Sequence, residues 1–243
     1  MNNLNHNSIT LIANAGVLIQ YNGVAVLIDA LHTKKTIRFS RPPEDVLQDI
    51  VDGNGAFKKI DLMLITHAHI DHYSPKEVGR FMERHPETML ITPTGDDFPA
   101  SRTMRLQRPH EEHTAGRIQV SCRRIVHDGK DYADYVNYGY RIVIDGKVFT
   151  VFGDATKDRE GIARLTENMP VDVAIVNFPF VSLRENQAFL RDVVGPERIV
   201  AMHLPFPEDD GNSFIRTTRR ALERPGGLQN VTMLYNRLER AEL

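Results

Sequence analysis

Three imidazoles and one carboxylate fall within six residues of Thr66-His67-Ala68-His69-Ile70-Asp71-His72. Neutral imidazole and carboxylate are the ligands that suit zinc and its first-row neighbours. Crowding four such groups is costly unless something binds them. The run follows apolar Leu62-Met63-Leu64-Ile65 and precedes Tyr73-Ser74-Pro75. On an extended chain leaving a strand, alternate residues share a face. His67 and His69 can then grip one ion, while Asp71 and His72, past the turn, reach a second. The competing reading is a histidine-rich surface loop.

The elements around this run are the ones needed to present it. Ile60–Ile65 reads as a strand. Ser74 as N-cap, Pro75 at the first helical position and Glu77 two residues on form a capping box, and Val78, Phe81 and Met82 supply the apolar face of the helix that follows. The run therefore lies between a strand's C-terminal end and a helix N-terminus, where α/β proteins place their chemistry. Other strand exits carry the same residue types. The strand Val24–Asp29 ends on Asp29, Val120–Val126 leads to His127, Lys147–Phe152 runs into Gly153-Asp154, and Ile199–Met202 leads to His203. Alone, each is more often a turn residue than a ligand. Together they suit strands of a shared sheet whose ends converge on one rim.

The rest of the chain fits an α/β class. Asn22-Gly23 and Asp145-Gly146, each between β-rich runs, predict hairpins. Pro42-Pro43 opens a short helix with Val46, Leu47, Ile50 and Val51 on one face, and Gly53-Asn54-Gly55 stops it. Thr88–Thr92 and Val231–Tyr235 read as strands, and Val171–Val176 as a strand buried on both faces. Helices are expected over 158–168, Arg184–Val194 and near 213–223. Residues 93–117 are loop-rich, and His110-Glu111-Glu112-His113 within them reads as a solvated turn. Each half begins with hairpin strands and ends with alternating helices and strands. That implies two mixed sheets packed face to face with helices outside, a four-layer αββα sandwich in a single domain, 1–243.

Composition narrows the function classes. The 243 residues are 41% hydrophobic and 26% charged, with a net charge of −2. No global basic field draws nucleic acid or an anionic membrane. The single cysteine, Cys122, excludes an intrachain disulfide and a cysteine-based metal site, and its apolar setting reads as a buried thiol. No apolar run approaches the ~18 residues of a spanning helix. The polar start, Met1-Asn2-Asn3-Leu4-Asn5-His6-Asn7, lacks the basic-then-apolar pattern of a signal peptide. The expectation is a soluble cytoplasmic protein acting on a small molecule, with no nucleic-acid or membrane partner and with homo-oligomerisation left open.

With these motifs in order, the chain resembles the metallo-β-lactamase superfamily from Asp29 to His203. The series is Asp29, then His67-x-His69-x-Asp71-His72, then His127, Gly153-Asp154 and His203. The chain length and Asn137-Tyr138-Gly139-Tyr140 look most like the branch related to ascorbate-phosphate lactonase. Ala155 after Asp154, and the absence of Trp, depart from that branch. The resemblance implies that His67, His69 and His127 hold one metal ion, that Asp71, His72 and His203 hold a second, and that Asp154 bridges them. It makes Asp29 the orienter of a ligating His. Two divalent ions are implied, zinc first, with manganese or iron as alternatives. Ions ~3.5–4 Å apart share a hydroxide and lower its pKa from ~15.7 to near 7. Asp71 both ligates and takes a proton.

The favoured function is thus a dinuclear-metal hydrolase whose bridging hydroxide cleaves a small anionic lactone, ester, amide or phosphodiester. Two alternatives use the same fold. One is a non-hydrolytic di-iron oxidoreductase, a branch that usually has Glu where this chain has His69 and that adds an electron-carrier domain. The other is a metal-binding module without turnover. For substrate contacts the candidates are Tyr73, Lys34 in the basic loop up to Arg41, and Asn177 and Arg184.

Overall fold

The structure, a computed structural model, describes residues 7–36, 38–132, 134–167 and 169–243. The polar start Met1–His6 and the expected helix end at Asn168 lie outside the described residues. Two seven-stranded sheets form the centre. The first contains β1 (Ser8–Ala13), β2 (Gly16–Tyr21), β3 (Val24–Ile28), β4 (Leu62–Leu64), β5 (Met89–Thr92), β6 (Thr103–Arg105) and, from the far end of the chain, β14 (Arg240–Glu242). Its order is β14-β1-β2-β3-β4-β5-β6. The second contains β7 (His110–Ala115), β8 (Ile118–Arg124), β9 (Tyr138–Ile144), β10 (Lys147–Val151), β11 (Val173–Asn177), β12 (Arg198–Met202) and β13 (Val231–Met233), in the order β13-β12-β11-β10-β9-β8-β7.

Both sheets are mixed in the same way. The hairpin junctions are antiparallel, and the junctions from β3 through β6 and from β10 through β13 are parallel. Asn22-Gly23 and Asp145-Gly146 have positive φ at both residues, which matches the turn to the right-handed twist of the strands. Because β1 and β3 both run antiparallel to β2, β1 points the same way as β3, β4 and β5. By the same logic β8 points with β10, β11 and β12. The C-terminal ends of these strands therefore share one edge of each sheet.

Three apolar clusters account for four layers. One lies between the sheets and draws on Ile9, Val26, Tyr140 and Phe149. A second packs α1 (Glu44–Asp52) and α2 (Pro75–Arg84) onto the outside of the first sheet through Val46, Ile50, Val78 and Phe81. A third packs α3 (Arg159–Thr166), α4 (Pro179–Ser182) and α5 (Arg184–Phe189, continued as a π turn to Val194) onto the outside of the second through Ile162, Phe180 and Leu190. α6 (Phe214–Leu222) follows β12. The Ser74 hydroxyl accepts the Glu77 N–H at 3.5 Å, but the Glu77 carboxylate turns to Arg80, so only half of the expected capping box forms.

The reading of the segment before β8 also changes. His110–His113 is not a solvated turn but the start of β7, paired in antiparallel register with β8. It is an edge strand, so its outer positions are polar and the apolar alternation that announces a strand is hidden. Glu111 turns inward and accepts the N–H groups of Gln107 and Arg108 at 2.7 and 2.8 Å. Cys122 is buried in β8. Among the described residues, no helix is long and apolar enough to cross a membrane.

Candidate metal centre

Left-handed backbone turns sit at the strand exits. Asn14 after β1 (φ 51°), Asp29 after β3 (φ 46°), Gly153 after β10 (φ 57°) and His203 after β12 (φ 61°) each redirect the chain there. Three of these are not glycine, and strain of this kind concentrates at functional sites. At Gly153 the requirement is also one of space. A Cβ would lie 2.1 Å from Oδ1 of Asn137.

These exits bring the seven candidate ligands together in two groups. In the first, His67, His69, His127 and Asp154 each present a ligand atom within 4.8 Å of the others. His67 Nε2 faces His69 Nδ1 at 3.1 Å, and His127 Nε2 is 3.7 Å from Asp154 Oδ2. In the second, Asp71, His72 and His203 do the same. His72 Nε2 faces His203 Nε2 at 3.2 Å, and both lie 3.4 Å from Asp154 Oδ1. Asp154 thus offers one oxygen to each group.

Hydrogen bonds decide which nitrogen of each ring faces inward. Asp29 accepts the Thr66 N–H at 2.8 Å, the Thr66 hydroxyl at 2.5 Å and His72 Nδ1–H at 2.9 Å. The Thr66 oxygen in turn accepts His67 Nδ1–H at 2.9 Å. One buried carboxylate therefore orients two rings, turning Nε2 of His67 and of His72 towards the candidate ligand groups. His127 Nδ1–H donates to the Asp128 carbonyl at 2.7 Å, and its buried Nε2 has no hydrogen-bond partner. A buried, unpartnered ring nitrogen beside two other imidazoles and a carboxylate fits a cation. Asp29, His67 and His72 also cluster, but the hydrogen bonds through Thr66 account for that grouping.

Asparagines brace the carboxylates. Asn177 Nδ2 donates to Asp154 Oδ1 at 2.8 Å and to the Gly153 carbonyl at 3.0 Å. Asn137 Oδ1 accepts the Asp154 N–H at 3.2 Å, while its amide donates to the carbonyls of Ile125 and Phe152. Asn14 Nδ2 donates to the carbonyl and the carboxylate of Asp71 at 3.0 and 3.2 Å, and its own carbonyl accepts the His203 N–H at 2.9 Å. Across the sheets, the Tyr140 hydroxyl donates to the Ile65 carbonyl at 2.5 Å, and Tyr138 N–H donates to the Thr66 carbonyl at 3.0 Å. β9 thereby holds the histidine loop of the first sheet against the second.

The charge states suit ligation. Burial, with neighbouring His72, holds His67 well below the ordinary histidine value. Burial and His127 lower His69, and burial lowers His203 against the pull of Asp154. Burial opposes charge on His72 as well, but the Asp154 and Asp29 carboxylates raise it well above the ordinary value. Burial opposes ionisation of Asp154 too, yet the facing His203 and His72 hold it well below the usual carboxylate range. Three rings are thus neutral near pH 7, the ligating form. A cation held by the second group would replace the proton that His72 otherwise retains.

The proposed substrate contacts are placed differently from expectation. Asn177 is buried behind Asp154, so it faces a candidate ligand. Tyr73 is buried and donates to Asp96 at 2.5 Å. Lys34 and Arg184 are exposed and do not line the cavity over the centre. That cavity, about 790 Å³, is lined instead by Thr36, Arg38, Phe39, Ile70, Tyr132 and Tyr135 together with His69, Asp71, His127 and Asp154. The basic loop does reach the site, but through Arg38. Asn14 and His32 escaped the sequence reading. Asn14 follows the same strand-exit rule as Asp29 and was open to it. His32 is wholly buried, with both ring nitrogens lacking a hydrogen bond of ordinary geometry, and burial followed by His72 pushes it down to about 3.

Residues 8–203 match the family model for the beta-lactamase superfamily domain. The chain belongs to the metallo-β-lactamase superfamily. Its fold matches solved structures at low identity. A metallo hydrolase, Igni18, from Ignicoccus hospitalis has a TM-score of 0.63 at 21% identity, covering 97% of each chain. An isothiocyanate hydrolase from Delia radicum gut bacteria has a TM-score of 0.65 at 16% identity, covering 97% of this chain and 99% of that one. The di-iron β-hydroxylase CmlA from Streptomyces venezuelae has a TM-score of 0.61 at 14% identity, covering 98% of this chain but 54% of that one. No curated protein matches the sequence.

Proposed function

We propose that this member of the superfamily is a dinuclear-metal hydrolase of a small molecule carrying an anionic group. The observation that carries the reading is Asp154, which faces two complete sets of ligand atoms, one oxygen to each. His67, His69 and His127 would hold one ion, and Asp71, His72 and His203 the other. Bound there, divalent ions, zinc first among them, polarise a carbonyl or phosphoryl oxygen and make water acidic enough to attack near pH 7. The carboxylates of Asp71 and Asp154 offset part of that positive charge.

The chain's own residues supply the rest. Asp71 lines the cavity and is braced by Asn14, so its carboxylate is held where it can take a proton from the attacking water and return it to the leaving group. Arg38, on the cavity wall, suits an anionic group of the substrate. The cavity has the size of a small-molecule site rather than a polymer groove. Lactone, ester, amide and phosphodiester bonds all fit this chemistry, and the lactonase-like placement remains one member of that set.

The test is elemental analysis of protein purified without added metal, joined to chelator-reversible hydrolysis of a lactone, a bis-aryl phosphodiester and a β-lactam. The expected result is about two zinc or manganese ions per chain and metal-dependent cleavage of one probe, abolished in Asp154→Ala with the fold kept. Two redox-active irons without hydrolysis would favour the oxidoreductase. Failure to take up any ion would end the reading.

A further inference from the structure

We infer that the cavity takes an aryl or similarly flat apolar group, seated against Tyr132 and Tyr135 beside the first metal group, on a substrate with at most one anionic group. This rests on the metal-hydrolase reading and names its substrate class.

The wall is built by the two tyrosines. Tyr132 follows a short turn in which its N–H donates to the Gly129 carbonyl at 3.1 Å, and Tyr135 N–H donates to the Tyr132 carbonyl at 3.0 Å. Their rings are 6.0 Å apart at 65°. Tyr135 lies 4.3 Å from His69, and Tyr132 lies 5.1 Å from His69 and 5.6 Å from His127. These are edge-on and tilted contacts of the kind that fix aromatic rings. Each tyrosine is nevertheless 46–47% exposed, and Ile70, between two candidate ligands, is 58% exposed.

Large apolar side chains gathered at a cavity mouth mark a binding surface. A second cavity of about 490 Å³ shares Ala68 and Tyr135 with the first and continues past the half-exposed Val136. The apolar wall therefore runs outward from the metal groups. On the other side of the main cavity, Phe39 packs on His203 at 4.2 Å. Among the described residues lining the cavity, Arg38 is the one permanent cation. A substrate dense in phosphates would find one cation in the wall, Arg38, and the repelling carboxylate of Asp131, beside the apolar faces of Tyr132, Tyr135, Phe39 and Ile70. An aryl group covers them and releases the water they order.

The experiment uses two hydroxamates with the same metal-binding head, acetohydroxamate and phenylacetohydroxamate, titrated calorimetrically into zinc-loaded protein. The expected result is phenylacetohydroxamate bound at least about tenfold tighter, the scale of one well-packed aromatic contact plus its buried area. In Tyr132→Ala/Tyr135→Ala that ratio falls towards one, and in Tyr132→Phe/Tyr135→Phe it is kept. Zinc content and circular dichroism check that each variant remains folded and loaded. Equal affinity for the two hydroxamates, or a preference untouched by the alanine pair, overturns the inference while leaving the metal reading intact. Binding of neither, with no zinc retained, overturns the metal reading itself.

Discussion

His32 should make the metal-free protein acid-labile. The ring is buried and held neutral, with its pKa pushed down to about 3 from an ordinary value of 6.5. The unfolded chain binds a proton at this position below pH 6.5 and the folded chain does not. By linkage, folding stability from this group falls as pH drops from 6.5 towards 3. At pH 5 the unfolded ring is protonated about thirtyfold over, which costs the folded state about 2 kcal/mol. A folded pKa as high as about 4 gives nearly the same figure, because the folded ring is then still neutral at pH 5. The assay is urea unfolding of chelator-treated protein at pH 7, 6 and 5, compared with His32→Phe. Other buried histidines titrate in both proteins, so the difference between the two pH profiles reports His32 together with its coupling to His72 and Asp71. The wild type should lose about 1 M more of its urea midpoint than the variant between pH 7 and 5, taking a slope of roughly 2 kcal/mol/M. Parallel profiles would refute the argument, since they would mean that His32 is solvated or charge-paired in the folded protein.

Other outcomes follow from the same contacts. Gly153→Ala must place a Cβ 2.1 Å from Asn137 Oδ1 at a φ of +57°, so it should destabilise by about 3 kcal/mol through backbone strain and lost Asn137 hydrogen bonds, read by denaturant melts. Asp29→Asn removes the charge that accepts Thr66 and His72, and metal affinity should fall about 10- to 100-fold in a competition titration with a fluorescent chelator. Asn14→Leu should weaken retention of one ion more than the other, seen as one ion per chain after partial chelation, because the Asn14 amide donates to Asp71 of the second group and to no ligand of the first. Zinc at about 100 times its dissociation constant should stabilise the protein by about 2.7 kcal/mol, or roughly 5–10 °C in Tm for a chain of this length.

The parts of this architecture written in the sequence are those with local causes. Asn22-Gly23 and Asp145-Gly146 need positive φ at adjacent residues, and β-rich runs flank both, so both hairpins were legible. The candidate ligands were legible for a related reason. A polar residue ending an apolar strand is visible without knowing its neighbours, and strands that run the same way deliver their ends to one edge. β6, β7 and β14 were not legible, because each is short or an edge strand whose polar face conceals its period. The braces were not legible either. Asn177 looks like a substrate contact at the end of β11, and only the adjacency of β11 to β10 turns its amide onto Asp154.

The same distinction explains why reaction class precedes substrate. Thr66, Asp29 and the asparagines are fixed by neighbouring strands, so they hold the ligand atoms whatever the loops do. The cavity wall comes from the segments after β3, β4 and β8, where no period constrains the sequence. Arg38 illustrates this: the basic loop was visible, but Lys34, Lys35, Arg38 and Arg41 were equivalent as letters. Folding separates them, sending Lys35 to Asp209 and Arg38 to the cavity. Specificity in such a site can change by replacing loop residues without disturbing the sheets, since Tyr132 and Tyr135 touch the candidate ligands only through ring faces and edges. If so, grafting a different segment between Asp128 and Asn137, with both of those residues kept, should change which hydroxamate is preferred while leaving metal content unchanged. A graft that also emptied the metal groups would show that the wall and the centre fold as one unit.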